Sequence, residues 1–121
     1  EVRAPGGRLV KRVRPRVWKH PMKPETAAAL NTMMQSVVTG GTGTAAAIPG
    51  VKVAGKTGTA ETGRSHVYTA WFIFFAPADD PRIAGAVVLE NQLNGFGGKV
   101  SAPIAKALMQ AILPGASNGK R

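Results

Sequence analysis

The chain has 121 residues, enough for one domain with a core of its own. It contains no cysteine, which excludes a disulfide scaffold, a thiolate nucleophile and any Cys-based zinc site. Sixteen Lys+Arg against six Asp+Glu give a formal net charge of +10, and 44% hydrophobic residues argue against intrinsic disorder. The charge is uneven. Arg3, Arg8, Lys11, Arg12, Arg14, Arg16, Lys19 and Lys23 all lie in residues 1–24, opposed only by Glu1. Such an arm is a candidate binder of nucleic acid or anionic polymer, with Trp18 able to stack on a base. It has one aromatic, no helical face and no nucleic-acid motif, so a solvated, partly extended segment is the simpler reading.

In chain order, Leu9-Val10, Val13 and Val17-Trp18 allow one or two short edge strands, interrupted by Pro5, Pro15, Pro21 and Pro24. Residues 25–38 predict a helix with Leu30, Met33, Met34, Val37 and Val38 at i, i+3, i+4, i+7 and i+8, its methionines in the core. Pro24 suits its first turn and Gly40 its stop. Residues 39–50 (TGGTGTAAAIPG) read as a loop ending in a Pro-Gly turn. Residues 51–60 predict a strand. Val51, Val53, Gly55, Thr57 and Thr59 share one face; Lys52, Ala54, Lys56, Gly58 and Ala60 share the other. Residues 67–76 and 83–90 are apolar on both faces and predict strands covered on both sides, or nearly so. Pro77–Arg82 joins them at hairpin length. Residues 91–98 form a glycine-rich loop. Residues 99–113 predict a final helix with Ala105, Leu108, Met109 and Ile112 as its apolar stripe. The fold class is α+β: an antiparallel three-strand meander flanked by helices. Three regions follow: a basic arm at 1–24, a folded body at 25–114 and a flexible tail at 115–121.

The densest chemical signal is Ala54-Gly55-Lys56-Thr57-Gly58-Thr59-Ala60-Glu61. Gly50–Thr57 is a literal match to the phosphate-loop pattern G-x-x-x-x-G-K-[ST]. That motif needs a strand before it and a helix after it. Here the strand falls inside the motif, and Gly58, Thr59, Thr62 and Gly63 follow, which do not start a helix. The competing reading is the Lys-Thr-Gly element of serine acyl-transferases that act on penicillin-like substrates. There the Lys places a positive charge beside the nucleophile's proton relay. The two Thr hydroxyls on one face bind a substrate carboxylate through charge-assisted hydrogen bonds. Gly58 would let a substrate backbone lie along the strand. His20 and His66 lack companions at metal-ligand spacing, and Asp79-Asp80 between two prolines serves a turn.

GVKVAGKTGTAE resembles the strand motif of class B penicillin-binding proteins, the peptidoglycan D,D-transpeptidases, and looks like that of their actinobacterial members. The upstream ETAAALNTMMQSVVTGGTGTAA is similar to the family's helix and Gly-Thr loop. AWFIFFAP, IAGAVVLEN and GGKVSAPIAKALMQAIL are similar to its next two strands and final helix, so the likeness spans roughly residues 20–113. The resemblance implies a fragment of the β-lactamase/transpeptidase-like α/β sandwich, the back half of a domain about twice this size. By resemblance, Lys56 contacts the serine of a Ser-x-Asn motif and the substrate carboxylate. Thr57 and Thr59 bind that carboxylate, and the Thr59 N–H forms half of an oxyanion hole. Lys56 and Thr59 are then the catalytic candidates, and Thr57, Gly58 and Thr59 the substrate-binding ones.

The implied partners are the D-Ala-D-Ala stem peptide of peptidoglycan, β-lactams, the rest of the same domain and, further out, cell-wall or division proteins. No cofactor or metal is implied. The implied location is the extracytoplasmic face of the membrane, with an anchoring helix outside this sequence. The chain departs from the family pattern in its nucleophile. No Ser-x-Asn occurs, and Ser36, Ser65 and Ser101 do not start a Ser-x-x-Lys. Ser117-Asn118-Gly119-Lys120 does match, but it stands in the tail, where no burial would activate the serine. This chain alone is therefore expected to be inactive. A β-lactamase or β-lactam sensor remains an alternative with the same strand and another outcome.

Overall fold

The structure is a computed structural model that describes residues 1–14 and 16–113. The expected tail and its Ser117–Lys120 match lie outside the described residues. Within the arm, β1 (Val2–Arg3) and β2 (Leu9–Lys11) form a small antiparallel hairpin turned at Pro5-Gly6-Gly7. Glu1 holds it by accepting hydrogen bonds from Arg3 and Arg12. Val13, Val17 and Trp18 lie exposed, and Lys19 sits over the Trp18 ring at 4.9 Å.

The body is helix, three strands, helix: α1 (Pro24–Thr39), β3 (Ala54–Glu61), β4 (Val67–Ala76), β5 (Ile83–Leu93) and α2 (Gly97–Ile112). A short 3₁₀ turn (Thr44–Ala46) breaks the link between α1 and β3. The sheet is a meander in the order β3-β4-β5, antiparallel throughout, as the pattern predicts. Directly paired residues point to the same side of a sheet. The register pairs Thr59 with Ala70, Thr57 with Phe72 and Gly55 with Phe74, so these six share one face. Lys56 pairs with Ile73 and Gly58 with Trp71 on the other face. Both the phase and the strand itself follow the alternation in the sequence, although β3 begins at Ala54 rather than Val51.

α2 covers the first face. Ala102, Ala105, Met109 and Leu113 pack with Phe72, Phe74 and Val87, and Val38, Ala46, Ile48 and Val53 close the core from the α1 side. Ser101 is fully buried, and its hydroxyl donates to the Ala70 carbonyl at 3.0 Å. This bond stands beside a β-bulge. The β4–β5 register shifts between Tyr68 and Ala70, and Asn91 takes a positive φ of 55° opposite.

Three burial expectations are corrected. β4 and β5 are not covered on both sides: Trp71, Ile73 and Val88 on the second face are exposed. α1 buries only Val38; Leu30 and Met33 are exposed and Met34 is half-buried, so the methionines are not core here. On α2, Leu108 and Ile112 are exposed, and the buried stripe runs through Ser101, Ala102, Ala105 and Met109. In each case the sequence shows apolar character, and the partner surface determines which apolar residues are covered.

Candidate active-site wall

β3 is the edge strand of the sheet, and it presents the Lys-Thr-Gly element to an open side. Thr57 and Thr59 face a cleft of about 660 Å³. Its other walls are the Gly41–Ala45 loop and the first turn of α2, with Phe96, Gly97, Gly98 and Lys99. The loop and the helix start reach β3 because Gly97 and Gly98 carry no side chain. A Cβ on Gly97 would collide with the carbonyls of Trp71 and Gly58, and one on Gly98 with the carbonyl of Thr42. The two glycines thus place the amino end of α2, with its partial positive charge, against the two threonines. No acidic residue occupies that first turn.

Three hydrogen bonds organise the site. Thr42 Oγ1 and Thr57 Oγ1 share a hydrogen bond of 2.6 Å. The Gly97 N–H donates to Thr59 Oγ1 at 3.5 Å. Lys56 extends from the opposite face of β3, and its Nζ donates to the Thr57 carbonyl at 2.7 Å. Its stem lies in an apolar cleft formed with Leu30, Met33, Met34, Val37 and Ile73. Thr57 and Thr59 are therefore brought together, and Lys56 stands behind them at the strand edge. Gly58 is half-buried, and the space where its Cβ would be lies 3.2 Å from Cβ of Trp71.

Sequence reasoning missed Thr42 and the Phe96–Lys99 turn as part of this cleft. The Gly-Thr loop and the glycine-rich loop were visible as loops, but nothing in their composition says that both fold back onto β3. The phosphate-loop reading is overturned, since the chain continues as strand from Lys56 to Glu61 where a helix is required. His20 and His66 are exposed, and His66 sits at a turn with φ of 58°.

Comparison with known proteins gives a consistent result. Residues 6–110 match the penicillin binding protein transpeptidase domain family. The chain is 41% identical over 107 residues to peptidoglycan D,D-transpeptidase PbpA of Mycolicibacterium smegmatis, covering 82% of this chain and 21% of that protein. It is 38% identical over 114 residues to stage V sporulation protein D of Bacillus subtilis, covering 88% of this chain and 18% of that one. Among solved structures it superposes on penicillin-binding protein A from M. tuberculosis in its ceftriaxone acyl-enzyme complex, with a TM-score of 0.79 and 35% identity. That match covers 92% of this chain and 26% of the other. The chain thus spans about a fifth of the length of the curated relatives it matches. With its three-strand meander, flanking helices and Lys-Thr-Gly edge strand, the chain belongs to the penicillin-binding protein transpeptidase domain family.

Proposed function

We propose that this chain is the substrate-carboxylate wall of a peptidoglycan D,D-transpeptidase whose serine nucleophile stands on another segment of the same domain. The observation that carries this reading is the pair of Thr57 and Thr59 hydroxyls on one face of an edge strand, under the amino end of α2. Two hydroxyls and a helix N-terminus converging on one cleft suit a carboxylate, which takes several charge-assisted hydrogen bonds at once. Both the stem peptide and a β-lactam carry such a carboxylate. The free edge of β3 suits an extended peptide lying as an added strand. In this reading Lys56 supplies positive charge beside the serine of a Ser-x-Asn motif, and the Thr59 N–H gives half of the oxyanion hole. The site works at the extracytoplasmic face of the membrane, where peptidoglycan is assembled. Among the described residues, 1–24 act as a basic arm and 25–113 as the folded body.

The test is acylation of the intact protein that carries this segment, using a fluorescent penicillin. Covalent labelling is expected, and Thr59→Val is expected to slow it by about 10- to 100-fold, the value of a hydrogen bond to a charged group. Lys56→Ala is expected to slow it at least as much. Unlabelled protein, or normal rates in both variants, would contradict the reading. A deacylation rate fast enough to turn over penicillin would identify a β-lactamase instead.

A further inference from the structure

We infer that Thr42, on the loop after α1, is a positioning residue that sets the Thr57 hydroxyl for its ligand; this rests on the carboxylate-binding role proposed for Thr57. The geometry is a 2.6 Å hydrogen bond between Thr42 Oγ1 and Thr57 Oγ1, made across fifteen residues of sequence. A hydroxyl has one proton to donate and two lone pairs to accept with. Thr57 cannot give its proton to Thr42 and to a carboxylate at once. When an anion enters the cleft, the order must therefore run Thr42 to Thr57 to carboxylate. Thr42 donates to Thr57, and Thr57 donates onward.

A donor behind Thr57 does two things. It fixes the hydroxyl rotor before the ligand arrives, and it polarises the outgoing O–H, since hydrogen bonds in a chain strengthen one another. Thr59 is served in a parallel way from α2, whose Gly97 N–H donates to its hydroxyl and leaves the Thr59 proton for the cleft. Thr42 is itself held in place. Gly98 lies so close to its carbonyl that a methyl group there would not fit, and Gly43 next to it packs on Phe72 and Val37 while its N–H donates to the Val37 carbonyl at 2.9 Å. The loop is thus a support for one hydroxyl, built from the end of α1 and the start of α2.

The experiment measures the second-order acylation rate of the intact protein by benzylpenicillin, with the melting temperature as a check on folding. Four variants are compared: Thr42→Val, which keeps the shape and removes the hydroxyl; Thr42→Ser, which keeps the hydroxyl; Thr57→Val; and the double variant Thr42→Val/Thr57→Val. Thr42→Val is expected to lower the rate by about 3- to 10-fold, one neutral hydrogen bond's worth, at an unchanged melting temperature. Thr42→Ser is expected to restore it. In the Thr57→Val background, removing the Thr42 hydroxyl is expected to cost nothing more. A normal rate in Thr42→Val overturns the inference alone. So does an undiminished loss in the Thr57→Val background, which would make Thr42 a direct ligand, or a Thr42→Ser as slow as Thr42→Val. If the unsubstituted protein is not acylated at all, the proposed function fails, and this inference falls with it.

Discussion

At the scale of single residues, the cleft depends on side chains that are missing as much as on those present. Gly98 lets the first turn of α2 touch the Thr42 carbonyl, and Gly97 lets it touch the backbones of β3 and β4. A methyl group at Gly98 must displace backbone, not a flexible side-chain tip. Overpacking of that kind costs about 1–3 kcal/mol. Gly98→Ala is therefore expected to lower the melting temperature of the intact protein. It should also slow penicillin acylation, because the displaced atom belongs to the residue that bonds Thr57. A variant with normal stability and normal acylation would show that the helix start tolerates retreat. The ion pairs contrast with this. Lys52 and Asp79 meet at 3.1 Å, and the Lys52 hydrogen bond lowers the Asp79 carboxyl below its usual range. Any stability from that pair is present above the ordinary carboxylate pKa and is lost as pH falls through the lowered one. Both groups are well exposed, so solvent screening keeps the contribution small.

At the scale of elements, α2 holds the site because it is docked on β4. Phe72 and Met109 are fully buried in that interface, and Phe72 also fills the space beside Gly55 on β3. Phe72→Ala should cost about 3–5 kcal/mol, since it opens a cavity between the motif strand and the helix. Ser101→Ala should cost about 1 kcal/mol, the net worth of one buried hydrogen bond to the Ala70 carbonyl. Chemical denaturation of the intact protein reads both, and a larger loss for Ser101→Ala than for Phe72→Ala would contradict this view of the interface. These elements were legible in the sequence to different degrees. Period-2 alternation placed Thr57 and Thr59 together because strand geometry is local, and the 3.6-residue period placed both helices for the same reason. The Thr42–Thr57 bond was not legible, because it joins a loop to a strand through tertiary packing with no local signature. The bulge at Asn91 was hidden likewise, since no glycine marks it and asparagine takes the positive φ there.

At the scale of the whole molecule, the sheet has one finished face and one open face. α2 seals the side of Phe72 and Phe74, while Trp71, Ile73 and Val88 on the other side are exposed, with Leu30 and Met33 of α1 alongside. Contiguous apolar surface of this kind marks a contact with further protein. The relatives extend well beyond the matched segment, and under the proposed function the rest of a transpeptidase domain would cover this face. Two of the chain's serines agree with this. Ser101 is buried with its hydroxyl committed to Ala70, and Ser36 donates to the Thr32 carbonyl within α1. A serine becomes a nucleophile only when a base within hydrogen-bond reach takes its proton, and neither has one placed so. The 121-residue chain produced on its own is therefore expected to bind a hydrophobic dye such as ANS and to self-associate as its concentration rises. It is also expected to form no covalent adduct with fluorescent penicillin. Adding the remainder of the domain as a separate polypeptide should suppress the dye signal as the open face is covered. Stoichiometric serine labelling of the chain alone would show instead that it contains its own nucleophile. A monomer that ignores the dye would show that the exposed face is finished as it stands.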